Sequence, residues 1–265
     1  MGIATEVDTE IADDWHAALA ALAWEVEAGA DEAIGDAPIN RYELATETPK
    51  PLAAKPSSPP PTPDAGADPV AVAQAAAADA ATLEALREAI AGFDLCDLKK
   101  GARNTVFADG NPKARVLILG EAPGAEEDRE GRPFVGRAGQ LLDRMFAAIS
   151  LSRGSPDAEN ALYITNVMPW RPPGNRDPEP AEIAMMLPFV QRHIALVDPL
   201  VIVVLGNTPL FALTGTRGIL RARGHWSQAL GKPLLPMTHP AYLLRNPSAK
   251  REAWADLLSL QQRLR

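Results

Sequence analysis

The chain has 265 residues, of which 46% are hydrophobic and 23% are charged, enough for one well-packed core and an additional segment. It has no run of about 18 uncharged apolar residues and no basic start followed by an apolar stretch, so we expect a cytoplasmic protein without membrane contact. The single cysteine, Cys96, excludes a disulfide within the chain and any site that needs two thiolates from it.

The net charge of -8 is unevenly distributed along the chain. Residues 1–92 carry 17 acidic and 4 basic side chains, a net charge of -13, whereas residues 93–265 have a net charge of +5. An acidic extension therefore masks a mildly basic body, as expected if the body meets phosphate groups and the extension does not. Many proteins with this balance bind no nucleic acid, so charge alone assigns no function.

Three segments are predicted along the chain. An acidic extension over 1–47 contains an amphipathic helix at 10–29, where apolar residues recur at spacings of three and four. Its apolar face needs a partner, which is the main body, a second copy or an unidentified protein. A linker with eight prolines follows at 48–69, and the main domain, 70–265, opens with an Ala-rich helical stretch that stops at Gly92.

Four short apolar runs rich in Val, Ile and Leu predict buried strands: Arg115–Leu119, Leu162–Val167, Leu200–Leu205 and Leu234–Met237. Helical patterns lie between them at 138–150, 179–197 and 207–213. Strands that alternate with helices predict an α/β fold, here a three-layer α/β/α arrangement around a central four-stranded parallel sheet. Ligands of such sheets bind beyond the carboxyl ends of the strands, so the residues that follow each strand are the candidates for a site.

The first of these segments, Gly120–Gly124 (GEAPG), leads into a glycine-rich loop that carries Phe134. The loop contains neither the Gly-Lys-Ser/Thr of a phosphate-binding loop nor a G-x-G-x-x-G fingerprint, so no nucleotide cofactor is predicted. Such a loop lets backbone approach a planar ligand closely. Phe134 either stacks on a base or plugs the space beneath the loop, and the sequence leaves both open.

Three motifs in order resemble family 4 of the uracil-DNA glycosylases. They are GEAPGAEEDREGRPFVGRAGQLL at Gly120–Leu142, TNVMPWRPPGNR at Thr165–Arg176 and THPAYLLRNP at Thr238–Pro247. The resemblance runs from about Phe93 to Leu264. It implies the uracil-DNA glycosylase fold, a substrate of uracil-containing DNA, and an enzyme that flips the base out of the helix.

The resemblance implies a uracil site with Phe134 as the stacking face and Asn166 as the reader of the base. The Asn166 amide offers a donor to a uracil carbonyl and an acceptor to N3–H, whereas cytosine presents the opposite pattern. Gly120 and Ala122 would complete this site with their backbone. The absence of a side chain at Gly120 and the small one at Ala122 allow the close approach that a planar base requires.

Catalytic roles fall on residues that follow two strands. His239 is placed to donate a hydrogen bond to the uracil O2 as negative charge develops there. Glu121 would position the attacking water and favour the cationic sugar, and Glu127 is the second candidate for this role. Solvated side chains are expected for Glu126 and Glu130.

DNA contacts are predicted in two loops. RPPGNR places Arg171, Asn175 and Arg176 on a proline-stiffened segment suited to phosphate groups. In YLLRNP, the residues Leu243, Leu244 and Arg245 resemble a wedge that enters the duplex. A Leu-Leu pair is also common in a protein core, and both readings stay open here.

Family 4 enzymes typically hold a 4Fe-4S cluster through four cysteines, and this chain departs from that pattern. Cys96 matches one ligand, but Phe93, Trp170 and Met186 stand where the other three are expected. We therefore predict no metal and no cofactor, with a hydrophobic plug in place of the cluster.

The predicted function is that of a monomeric, monofunctional uracil-DNA glycosylase acting in base excision repair. No lysine occupies the inferred site, and TNVMPWRPPGNR carries no histidine that would bond covalently to the product. The alternatives are a damaged-DNA or abasic-site binding protein with weak turnover, and a glycosylase that accepts other deaminated bases. The sequence does not choose between single-stranded and double-stranded DNA.

Overall fold

A computed structural model describes residues 68–265 of the chain. The predicted helix at 10–29, the acidic extension and nearly all of the proline-rich linker lie outside the described residues. The first described helix, α1, begins at Pro69 after Asp68, whose carboxylate accepts a hydrogen bond from the Val70 amide and caps the helix. Within 68–265, no helix is long and apolar enough to cross a membrane.

The core is a six-stranded sheet in the order β1-β3-β2-β4-β6-β5. The strands are β1 (Ala108–Gly110), β2 (Val116–Gly120), β3 (Leu162–Asn166), β4 (Val201–Leu205), β5 (Ser227–Ala229) and β6 (Lys232–Met237). The four central strands pair in parallel, so their carboxyl ends meet at one edge of the sheet.

The four predicted strands are these central parallel strands. Two short edge strands, β1 and β5, pair antiparallel and were not predicted. Each is three residues long and not fully buried, so neither carries the continuous apolar run that marks the central strands.

The helices are α1 (Pro69–Asp79), α2 (Leu83–Gly92), α3 (Leu98–Gly101), α4 (Ala125–Glu130), α5 (Arg137–Ala147), α6 (Pro180–Val197), α7 (Asn207–Thr214), α8 (Ile219–Ala222), α9 (Pro240–Arg245) and α10 (Lys250–Leu264). The predicted helical stretch 70–92 is divided into α1 and α2. Thr82 interrupts it because its side chain accepts a hydrogen bond from the Ala85 amide and starts a second helix.

Alternate residues of the central strands point to opposite faces of the sheet, and each face has its own apolar cluster. Leu117 and Leu119 of β2 pack with α1, α2, α6 and α7, whereas Val116 and Ile118 pack with α5 and α10. The predicted three layers are therefore present. Burial of both faces leaves the carboxyl edge of the sheet to form a site.

Candidate active site

A cavity of about 640 Å³ lies at the carboxyl ends of β2, β3, β4 and β6. Each strand contributes a polar residue at or just beyond its end: Glu121, Asn166, Asn207 and His239. The remaining wall includes Phe134, Pro172 and the segment Asn175–Asp177. The volume suits a ligand of one or a few rings.

Phe134 forms one wall and is itself buried. Its backbone has a φ of +54°, a left-handed conformation that is costly for a side chain of this size. Two glycines make the arrangement fit. A Cβ on Gly120 would lie 2.5 Å from the Phe134 ring, and one on Gly139 would lie 1.8 Å from the Phe134 carbonyl oxygen.

Arg153, which was not predicted, holds the Phe134 loop in this conformation. Its guanidinium donates to the carbonyl oxygens of Pro133 (2.8 Å) and Phe134 (2.9 Å). Asp109 (3.1 Å) and Asp143 (2.9 Å) pair with the same guanidinium and fix its direction. Arg153 follows α5 in an unremarkable polar segment, so no local pattern in the sequence indicated this contact.

Asn166 ends β3 with 7% of its surface exposed. Within the described part of the chain, its Oδ1 atom has no hydrogen-bond partner although it is buried. Thr238 Oγ1, also in the cavity wall, is unpartnered in the same sense. An unsatisfied buried acceptor costs roughly 1–3 kcal/mol, so these two atoms mark where a polar ligand is accommodated.

Glu121 follows β2 and faces the cavity. Its Oε2 accepts a hydrogen bond of 2.6 Å from the Thr208 hydroxyl on α7. Burial raises the pKa of Glu121, the Thr208 bond opposes that rise, and the nearby Asp177 carboxylate adds to it. Thr208 was not predicted because it lies 87 residues away along the chain.

His239 is the residue before α9, and its Nδ1 accepts a hydrogen bond from the Ala241 amide at 3.1 Å. In the neutral ring the proton then resides on Nε2, which is left as a donor. Burial and, to a smaller extent, the Arg245 guanidinium lower the pKa of His239, Glu127 opposes them, and the result is a pKa of about 4. The histidine is therefore uncharged at neutral pH.

Glu127 lines the cavity, but its carboxylate is already occupied by backbone donors. Its Oε2 accepts from the Gly124 amide (3.1 Å), and its Oε1 accepts from the amides of Val135 and Gly136 (2.9 Å each). These three bonds tie α4 to the loop that carries Phe134. Glu127 therefore braces the loop, and its role as the second candidate for holding the attacking water stays a prediction.

Of the predicted phosphate contacts in RPPGNR, Asn175 and Arg176 line the cavity and Arg171 does not. The Arg171 Nε donates to Asn175 Oδ1 at 2.8 Å, which links the two ends of the loop. Arg176 makes a bidentate ion pair with Glu182 (2.6 and 2.9 Å), and that pairing raises its pKa. Its charge is thus largely compensated by Glu182, and a contact between Arg176 and DNA stays a prediction.

The predicted wedge divides into a buried part and an exposed part. Leu243 is completely buried and packs with Leu141 and Ala253, and Leu244 is half-buried against the same cluster. Leu243 is therefore a core residue, and its prediction as a DNA contact is wrong because α9 turns its side chain inward. Arg245, in contrast, is exposed and lines the cavity.

The four positions expected to hold an iron-sulfur cluster do not fit one. Phe93, Cys96, Trp170 and Met186 are all buried in one apolar cluster. The Trp170 indole donates to the Thr105 hydroxyl at 3.0 Å, and burial raises the pKa of the Cys96 thiol, which disfavours a thiolate. One thiol cannot replace four thiolate ligands, so these side chains form packing rather than a metal site.

Comparison with known proteins gives this geometry a family context. A family model described as Uracil DNA glycosylase superfamily matches residues 107–258. A type-4 uracil-DNA glycosylase of Thermotoga maritima is 40% identical over 169 residues, which cover 63% of this chain and 85% of that protein. One of Pyrobaculum aerophilum is 38% identical over 184 residues, covering 66% and 91% respectively. A type-5 uracil-DNA glycosylase of Thermus thermophilus is 31% identical over 145 residues, covering 49% and 66%.

Proposed function

The chain belongs to the uracil-DNA glycosylase superfamily and, within it, to type 4, and we propose that its cavity holds a uracil flipped out of DNA while water hydrolyses the bond between base and sugar. The observation that carries the proposal is the unpartnered Asn166 amide oxygen beside Phe134 in the cavity wall. A planar base with a donor at one edge satisfies the amide while its face covers the aromatic ring.

Recognition of the base rests on Asn166 and Phe134. Asn166 Oδ1 accepts from uracil N3–H, and its amide nitrogen donates to the uracil O4 carbonyl. Cytosine carries an acceptor at N3 and an amino donor at C4, so it presents the wrong atom at both places. Gly120 and Ala122 bring backbone to the ring, and the absence of a side chain at Gly120 keeps Phe134 and Asn166 together.

Bond cleavage rests on His239 and Glu121. As the bond between C1′ and N1 breaks, its electron pair leaves with the uracil, and the neutral His239 donates from Nε2 to the uracil O2. Glu121 accepts a hydrogen bond from the water that attacks C1′, and its negative charge favours the cationic sugar. Among the residues that line the cavity there is no lysine to form a covalent adduct, so hydrolysis ends the reaction.

DNA contacts are proposed at the exposed rim. Arg245 and Asn175 line the cavity and are exposed, and Arg245 forms no ion pair within residues 68–265. Arg171 supports Asn175 by their hydrogen bond. These groups are suited to fix the phosphate backbone on either side of the flipped nucleotide, whereas Arg176 serves the loop.

The test uses labelled oligonucleotides that carry one uracil or one hypoxanthine, treated with alkali after incubation to cleave abasic sites. We expect scission at uracil with the wild type and a loss of about 10²–10³ in rate for His239→Ala, since one donor to developing charge is removed. Asn166→Ala should also lose activity on uracil. His225→Ala is the matched control, because His225 is exposed and bonds only to the Arg223 carbonyl oxygen.

No scission by the wild type would refute the proposal. Retained binding to uracil-containing DNA in that case would identify a binding protein instead. Cleavage at hypoxanthine comparable to that at uracil would show that the edge recognition by Asn166 does not set specificity.

A further inference from the structure

Leu220 is an exposed apolar side chain at the edge of the cavity. It is 56% exposed, and it also lines the cavity. We propose that Leu220 is the wedge that enters duplex DNA and occupies the space left by the flipped nucleotide. This inference rests on the proposed function and adds a contact that discriminates between double-stranded and single-stranded substrates.

The turn that carries Leu220 is held rigidly to the site. Asn207, directly after β4, accepts with its Oδ1 from the amides of Gly218 (3.1 Å) and Ile219 (2.9 Å). Ile219 itself is buried and anchors α8 in the core, which leaves the next side chain to project outward. Gly218 has a φ of +103°, which permits the sharp entry into this short helix. A wedge is best carried on a fixed segment of backbone. A mobile segment would lose conformational entropy on insertion, and that loss would weaken binding.

The charge around Leu220 matches a DNA backbone. From Pro199 to Arg251, both included, the chain contains no Asp or Glu and seven Lys and Arg, of which Arg223 and Lys232 pair with Asp256 and Asp198 outside the segment. Arg217 and Arg221 flank Leu220 and are exposed, and neither forms an ion pair with any residue from 68 to 265. The Arg217 guanidinium lies 4.6 Å from the centre of the Phe211 ring, which directs it without neutralising it.

This assignment replaces the wedge expected in YLLRNP. Leu243 is buried and Leu244 is half-buried against the same apolar cluster, and neither lines the cavity. Among the exposed large hydrophobic residues of the described chain, which are Leu95, Leu200, Leu220, Leu230, Trp254 and Leu258, only Leu220 lines it. Leu220 therefore combines an exposed apolar side chain, a place in the cavity wall and positively charged neighbours.

The experiment compares base release from a uracil in duplex DNA with release from the same strand alone, under single-turnover conditions. A wedge acts by filling a gap in a base stack and by opposing return of the flipped base, and an unpaired strand has little of either. We expect Leu220→Ala to lower the rate on duplex DNA about tenfold or more and to leave the single-strand rate nearly unchanged. Leu220→Met, which keeps the apolar bulk, should restore most of the duplex rate.

Leu200→Ala is the matched control. Leu200 is 54% exposed but precedes β4, at the end of the sheet opposite to the cavity, so its truncation should leave both rates unchanged. Equal rates of Leu220→Ala and wild type on duplex DNA, or equal losses on both substrates, overturn the inference. A wild type inactive on duplex DNA but active on single strands also overturns it, whereas inactivity on both refutes the proposed function itself.

Discussion

Gly120 lies between Phe134 and Asn166, the two side chains proposed to contact the same base. An added Cβ would lie 2.3 Å from Asn166 Oδ1 and 2.5 Å from the Phe134 ring, so Gly120→Ala displaces one or both. We expect a loss of roughly a hundredfold in kcat/KM on a uracil-containing strand, because small displacements of positioning groups are costly. Single-turnover kinetics and a thermal melt measure activity and folding separately.

Gly101→Ala is the control for this change. A Cβ there would meet no atom within 4 Å, and the position is exposed. Near wild-type activity of Gly120→Ala would contradict the proposed roles of Phe134 and Asn166.

Thr208 sets the ionisation of Glu121. Its hydroxyl donates to the carboxylate and lowers the pKa that burial raises. Thr208→Val removes that bond, so the pKa of Glu121 rises further. Because the carboxylate is the active form, activity is lost as the pH falls through this pKa, and the acid limb of kcat/KM must move to higher pH in Thr208→Val.

The measurement is a pH profile of kcat/KM from the acid limb to about pH 9, at constant ionic strength. Thr208→Ser keeps a hydroxyl and should keep the wild-type limb. An unshifted limb in Thr208→Val would show that another group controls it. With a pKa of about 4, the His239 ring is neutral at neutral pH.

At the scale of elements, the loop between α4 and α5 depends on a contact from outside it. Arg153 donates to the carbonyl oxygens of Pro133 and Phe134, while Glu127 accepts from amides of the same loop. These bonds hold Phe134 at its positive φ, which a free loop would not favour. The conformation of Phe134, the proposed stacking residue, is therefore imposed by residues outside its loop.

Arg153→Met should release this loop, and it should lower kcat/KM about tenfold or more since Phe134 is no longer positioned. A purely structural role would lower only the melting temperature. We therefore expect a fall in the single-turnover rate at saturating DNA, at a temperature where the variant is folded. Arg153→Lys should recover part of the rate.

Arg132→Met is the matched control on the same loop, because Arg132 is exposed, pairs with Glu130 at 3.1 Å and reaches Asp109 only at 3.9 Å. If Arg153→Met and Arg132→Met both retain the wild-type rate, the hydrogen bonds from Arg153 to the Phe134 loop have no part in catalysis.

At the scale of the whole molecule, the side of the sheet that packs on α6 is closed by apolar side chains where family 4 enzymes bind a cluster. Phe93 meets Phe189 edge to face at 5.4 Å between ring centres, and Trp170 and Met186 are each 1% exposed. Large aromatic and thioether groups fill this volume without ligands. Stability that a metal would supply thus comes from packing.

Trp170→Ala should cost about 3–5 kcal/mol of unfolding free energy, measured by urea titration, because it opens a cavity in the core. A chelator should leave the melting temperature of the wild type unchanged, and protein purified without oxygen should contain no stoichiometric iron. Near four irons per chain, with the visible absorbance of a cluster, would contradict the hydrophobic plug.

Some features of the fold follow from local sequence patterns, and others depend on contacts between residues far apart in the chain. The four central strands were predicted because burial on both faces requires continuous apolar runs, and the site edge followed from their parallel order. The edge strands β1 and β5 lack such runs. The role of Leu243 was ambiguous because its residue type does not show whether its helix turns the side chain towards the core or towards solvent.

The sequence by itself determined the fold class, the family, the places of Asn166, Glu121 and His239 at strand ends and that of Phe134 on the glycine-rich loop, because strand periodicity and contiguous motifs are local properties. Only the tertiary structure decided that Glu127 braces a loop, that Arg176 is paired and that Leu220 is exposed in the cavity wall. It also brought Arg153 and Thr208 to the site. Hydrogen bonds and ion pairs join residues far apart in the chain, so their partners are set by packing of the whole domain.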